Sequence, residues 1–192
     1  MKKIFLLLTC AVLTTLCGCS DIASGIVQNA TLEGYEDQTV GEAFNNYKGF
    51  SNISWEAAER EDNKDIVIFE ADLDEAFIRV GSEEDNISLA EAFEIIYQKN
   101  EKYRIMSEKL AISYRIKAVF INDLNTDDFG YTITTETNLD YDNGAFEGQN
   151  KYEHNGDEAG MILKAVFKNS PLIMQSALNL ENLQPRKNSN GS

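Results

Sequence analysis

From Ile112 to Phe120 every second residue is apolar. Ile112, Tyr114, Ile116, Ala118 and Phe120 fall on one side of an extended chain, while Ser113, Arg115 and Lys117 fall on the other. A period of two places this segment in a strand with one dry face and one wet face. After the polar stretch Asn122–Asp128 the pattern resumes, with Phe129, Tyr131 and Ile133 alternating with Gly130, Thr132 and Thr134. Two such runs joined by a short polar link predict an antiparallel hairpin. A sheet that is wet on one side only must have its other side covered, so the rest of the chain has to supply the cover.

The remaining patterns supply it. Ile53, Trp55 and Ala57 alternate with polar neighbours, Glu61-Asp62-Asn63-Lys64 makes a polar turn, and Ile66-Val67-Ile68-Phe69 is apolar on both faces. These residues predict a second hairpin with a central strand, and the alternation assigns Trp55 to the core. Thr39-Val40-Gly41-Glu42 is a capping box, and Val40, Ala43, Phe44 and Tyr47 follow at helical spacing, which predicts a short helix to about Tyr47. Ser88-Leu89-Ala90-Glu91 repeats the box and opens a helix to about Tyr103, with Leu89, Phe93, Ile96 and Tyr97 on one face. Ala159, Ile162, Leu163, Val166 and Phe167 mark a third amphipathic helix, stopped at Ser170-Pro171, where Pro171 suits the first position of another short helix.

Between these elements, Phe77–Val80 fits a strand or a helical turn equally, and Gly81–Asn86 reads as an acidic loop. Leu139–Gly156, rich in Asp, Asn and Gly, reads as a long loop, and Gln184–Ser192, without an apolar residue, as a disordered tail. The expected fold is α+β, a single domain over residues 39–183. Its antiparallel sheet is built from two hairpins and packed against amphipathic helices.

The N-terminus is of another kind. Lys2 and Lys3 precede an apolar run from Ile4 to Leu16, too short to cross a hydrocarbon core, which takes roughly 20 residues as a helix. Leu16-Cys17-Gly18-Cys19 follows and resembles the lipobox of bacterial lipoproteins. The layout is that of a signal peptide over residues 1–18. The resemblance implies cleavage before Cys19 and acyl chains on it. Ser20–Gln38, interrupted by Ser24, Gly25, Asn29 and Gly34 without a sustained period, completes a lipidated tether over residues 19–38. Ser20 stands where an Asp resembles an inner-membrane retention signal, so the resemblance implies the outer membrane rather than the inner. The plainer alternative is an ordinary secretory signal ending near Gly18, with Cys19 left as a free thiol.

Within the domain, Thr39–Tyr47, Trp55 and Ile66–Ala71, with the later strand Ala118–Asn122, resemble a group of bacterial lipoproteins and periplasmic proteins that share a TVGxAFxxY…W…VVEF stretch. The group has no established activity, so the resemblance implies no catalytic residue.

Charge and cysteine usage narrow the chemistry. The chain has 17 Lys and Arg against 32 Asp and Glu, and its formal net charge is −15. Losing residues 1–18 removes Lys2 and Lys3 and no acid, which leaves −17. Such a surface repels phosphate backbones and anionic lipid heads, so nucleic acid is excluded as a partner and cationic partners are favoured. All 3 cysteines (Cys10, Cys17 and Cys19) lie in the first 19 residues. The domain therefore holds no disulfide, no catalytic thiol and no thiolate zinc site.

Among candidate ligands, Asp123, Asn125 and Asp127 have the D-x-N-x-D spacing that opens a calcium loop. Asp128 stands where that loop needs Gly and Thr134 where it needs Glu, so a polar hairpin turn explains the same residues. Asp140-Tyr141-Asp142-Asn143-Gly144 matches less well still.

His154, the only histidine, lies in Glu153-His154-Asn155-Gly156 and is expected to be exposed in a polar loop. A Ser-His-Asp triad would have to use it, and there is no G-x-S-x-G elbow. Phosphate-cradling glycine motifs are missing too, and no cofactor is expected. The functional expectation is a membrane-anchored, non-enzymatic binding or accessory module of the cell envelope. The alternatives are a carboxylate-dependent hydrolase of envelope polymers, or an inhibitor of a basic host hydrolase such as lysozyme.

Overall fold

The computed structural model describes residues 22–58, 62–82, 84–99, 110–126, 128–141, 146–174 and 184–185. The lipobox, with Cys19, lies outside them. Residues 22–29 form helix α1. Then come α2 (Val40–Asn46), the strands β1 (Phe50–Ala57) and β2 (Lys64–Leu73), a 3-10 turn at Glu75–Phe77, and β3 (Ile78–Gly81) and β4 (Asn86–Ser88). Helix α3 (Leu89–Lys99) leads to β5 (Leu110–Asp123), β6 (Asp128–Tyr141) and β7 (Phe146–His154), followed by helix α4 (Asp157–Lys168), β8 (Leu172–Met174) and β9 (Gln184–Pro185). The expected α+β domain is what forms.

The main sheet is six-stranded, in the order β1-β2-β5-β6-β7-β9, and a smaller sheet runs β4-β3-β8. Every pairing in the main sheet is antiparallel. In the small sheet β3 runs antiparallel to β4 and parallel to β8. The two expected hairpins, β1–β2 and β5–β6, pair directly through β2 and β5, with Phe69 opposite Ala118 and Val67 opposite Phe120.

Along β2 the residues from Asp65 to Leu73 are alternately buried and half-buried, as a central strand with one fully covered face requires. Phe44 of α2 sits at the centre of that face. It is fully buried, with ring centroids 4.8 Å from Phe69, 5.4 Å from Phe120 and 6.0 Å from Trp55. These edge-on contacts suit the quadrupoles of the rings. Trp55 packs against the core, as expected, while its indole N–H donates to Asn45 Oδ1 at 2.9 Å. Ala159, Ile162, Leu163 and Val166 bury one stripe of α4 in the same core.

Both capping boxes form. Thr39 Oγ1 accepts the Glu42 N–H at 3.1 Å, and a Glu42 carboxylate oxygen accepts the Thr39 N–H at 2.9 Å. Ser88 and Glu91 make the same exchange at 3.2 and 2.8 Å. The expected end of the second helix near Tyr103 lies outside the described residues.

Four segments differ from the sequence-based expectation. The expected tether contains α1, whose Ala23 and Val27 are buried in the core, so it is part of the domain there. Ser24, Gly25 and Asn29 interrupt its apolar residues, and Ile22 and Ile26 face outward. Leu139–Gly156 is not a long loop. Leu139–Tyr141 completes β6, and β7 pairs with it over 9 residues. The strand pattern is hidden because inward positions of this hairpin are the polar Thr135, Thr137 and Asn150, all buried. After Pro171 the chain enters β8, pairing with β3, rather than a helix. Gln184 and Pro185, expected in the tail, pair with Glu147 and Phe146 at the sheet edge. Phe77–Val80, open between two readings, is the end of the 3-10 turn followed by β3. No helix among the described residues is long and apolar enough to cross a membrane.

Candidate functional site: a cleft beside His154

The register of β6 and β7 sets Ile133 opposite His154 and Thr135 opposite Tyr152. The chain then turns at Gly156, whose backbone (φ 55°, ψ −122°) suits a residue without Cβ, and enters α4. That turn brings Glu158, four residues after His154, back beside the ring.

The imidazole is held from both sides: Nε2 lies 2.8 Å from Thr135 Oγ1, and Nδ1 lies 3.5 Å from Glu158 Oε2. A carboxylate only accepts, so Nδ1 is the nitrogen that donates toward Glu158, while the Thr135 hydroxyl, which can donate or accept, partners Nε2. The His154 side chain is 14% exposed, not open in a polar loop as its neighbours in sequence suggested.

A cleft of about 230 Å³ opens beside this cluster. Met161 and Ile162 of α4, with Ile173 and Met174 of β8, line it with apolar surface, and Tyr152, Glu153 and Glu158 add polar groups. Glu158 is 45% exposed, and it stands in the first turn of α4 with Asp157, where the helix N-terminus stabilises negative charge. The Glu153 carboxylate forms no hydrogen bond or ion pair among the described residues.

The order hydroxyl, imidazole, carboxylate is the one hydrolytic triads use. Here the hydroxyl belongs to Thr135, buried in a strand paired on both sides, with Ile116 across one ladder and Tyr152 across the other. Those ladders consume the backbone N–H groups of the strand around Thr135. The cluster fixes His154 between the sheet and α4, and Thr135 and His154 shape one end of the cleft.

The calcium candidates sit elsewhere, in the β5–β6 turn. Asp123 Oδ1 accepts the Asn125 N–H at 2.9 Å, and this bond, with Lys64 at 3.5 Å, holds the Asp123 carboxyl below its ordinary value. The Asn125 amide donates to Asp62 through its carbonyl at 3.3 Å, and the Asn63 amide donates to Asn125 Oδ1 at 3.1 Å, tying this turn to the β1–β2 turn. Asp127 lies outside the described residues, as do residues 142–145 of the poorer match. Among the described residues no group of three His, Cys, Asp or Glu is placed to hold a metal ion.

Thr135 and Glu158 do not stand out in the sequence. Glu158 carries a weak local signal, an acid four residues after the only histidine. Thr135 carries none, because its contact with His154 depends on strand register across 19 residues. Compared with protein-family models, curated proteins and solved structures, the chain has no match.

Proposed function

We propose that this chain is a lipid-anchored binding module of the bacterial cell envelope, held at the outer membrane through Cys19 and presenting an acidic domain to a cationic partner. The observation that carries the reading is how the sheet uses its cations. Lys64, Arg115, Lys117 and Lys151 each stand within 3.0 to 3.5 Å of an acid, Asp123, Asp72, Glu70 and Glu136 in turn. In every case that acid is the residue directly opposite on the next strand. Each pair sets one base against one acid and so leaves the excess of 32 acids over 17 bases unchanged. Long-range attraction to a basic surface follows, strong at low ionic strength and screened by salt.

Two measurements test the reading. Substituting Cys19→Ala is expected to move the protein from the membrane fraction to the soluble fraction; retention in the membrane would remove the anchor. Cross-linking in intact cells, followed by mass spectrometry, is expected to recover a basic envelope protein with the wild type and not when residues 39–183 are deleted. Added lysozyme tests the inhibitor alternative. Turnover of peptidoglycan, lost on a single Asp or Glu substitution, would replace binding by the carboxylate-hydrolase alternative.

A further inference from the structure

We infer that the cleft beside His154 is the seat for a single cationic side chain of the partner, an arginine or lysine. The inference rests on the proposed binding function and assigns it a site. About 230 Å³ is below the usual size of a pocket for a whole small-molecule ligand or cofactor, and it suits one long side chain.

The lining divides as such a side chain does. Met161, Ile162 and Met174 offer apolar and polarisable surface to an aliphatic stem. Glu153 and Glu158 offer carboxylates to its charged head, and Tyr152, a residue 36% exposed, offers a ring on which a guanidinium stacks.

Two further features point to a cation rather than a neutral or anionic group. Glu153 has no hydrogen-bond or ion-pair partner among the described residues, so the cleft carries a negative charge that nothing described there offsets. Glu158 is held in position by the His154 ring at 3.5 Å. That ring is anchored in turn by Thr135 at 2.8 Å. One acceptor is therefore preplaced before any ligand arrives, which lowers the ordering cost of binding. Thr135 and His154 are positioning residues in this arrangement; the two glutamates and Tyr152 touch the ligand.

The chain carries a built-in reporter. Of its 4 methionines, Met161 and Met174 line the cleft, while Met1 and Met106 lie in other parts of the sequence. The full chain, labelled with 13C at its methionine methyls, is titrated with acetyl-Leu-Arg-Leu-amide and with the same peptide carrying citrulline, which keeps the shape of arginine and removes its charge. The Met161 and Met174 resonances are expected to shift saturably with the arginine peptide, and roughly tenfold or more weakly with citrulline, as fits loss of a charge-assisted contact. The combined E153Q and E158Q substitutions, both at exposed or half-exposed positions, are expected to weaken the arginine peptide by a similar factor and leave the citrulline peptide unchanged.

Equal shifts from both peptides would overturn the inference, making the cleft merely apolar. Polylysine that binds in a salt-sensitive way while Met161 and Met174 stay still would also overturn it and would leave the proposed function standing. Failure of every cationic probe to bind at any salt concentration would remove both.

Discussion

Two buried tyrosines carry the clearest consequences at the scale of single residues. Tyr47 and Tyr114 are both almost fully buried. The Tyr47 hydroxyl donates to the Ser170 carbonyl at 2.9 Å, whereas the Tyr114 hydroxyl has no hydrogen-bond partner among the described residues. An unsatisfied buried hydroxyl costs free energy and a satisfied one contributes about 1 kcal/mol. Tyr114→Phe is therefore expected to stabilise the protein by about 1 kcal/mol and Tyr47→Phe to destabilise it by a similar amount. Urea denaturation of the two variants checks the opposite signs.

Burial pushes both phenols above their ordinary value, helped at Tyr114 by the charge of Glu75 and opposed at Tyr47 by a hydrogen bond from the Leu172 backbone. In the unfolded chain they ionise near pH 10. The stability from their neutral burial is thus complete below about pH 10 and is lost as the pH climbs from there towards the raised folded values. Replacing both by Phe is expected to flatten the fall in stability above about pH 10.

At the scale of elements, the docking of α1 turns on one glycine. A Cβ at Gly41 would lie 2.8 Å from the Gln28 Cβ and 2.9 Å from the Gln28 carbonyl oxygen, so α2 and the end of α1 approach each other as only glycine allows. Gly41→Ala would raise intrinsic helix propensity by about 1 kcal/mol, yet it is expected to destabilise, because the obstacle includes backbone. Hydrogen exchange should show the loss first in residues 22–29, with the β1–β2 pairing still protected. Thr39→Ala removes only the cap and is expected to cost about 1 kcal/mol without selectively releasing α1.

Elements are legible in the sequence where chemistry and period agree. The two capping boxes and the alternations of β1, β5 and the first half of β6 follow from local preferences that burial then reinforces. They are illegible where an inward position is polar. Thr135, Thr137 and Asn150 break the apolar alternation, although the chain still runs as a strand there. Residues 22–29 and β8 escape a local reading for another reason: each is held by partners remote in sequence, Gln28 against Gly41 and Leu172 against Ile78. The same limit applies to the site. His154 is visible as the only histidine, while its partner Thr135 is defined by strand register alone.

For the whole molecule the governing quantity is charge. The cross-strand pairs on the sheet lie at half-exposed or exposed positions, where such pairs contribute little. A chain with 32 acids and 17 bases repels itself, and this repulsion outweighs the pairs. Raising ionic strength from about 0.01 to 0.15 M shortens the screening length from about 30 to 8 Å. The melting temperature is therefore expected to rise over that range. A fall would mean that the ion pairs outweigh the repulsion.

The sequence by itself determined the composition of each face, the helix starts, the negative charge and the confinement of cysteine to the first 19 residues. All of these depend on neighbours within a few positions or on simple counts. The tertiary structure alone decided that α1 belongs to the core, that β7 and β9 extend the sheet, and that His154 faces a cleft between Thr135 and Glu158. The physical reason is common to these cases. A polar or short segment has no local signal of its own, and its conformation is fixed by the surfaces and backbone hydrogen bonds that distant residues offer it.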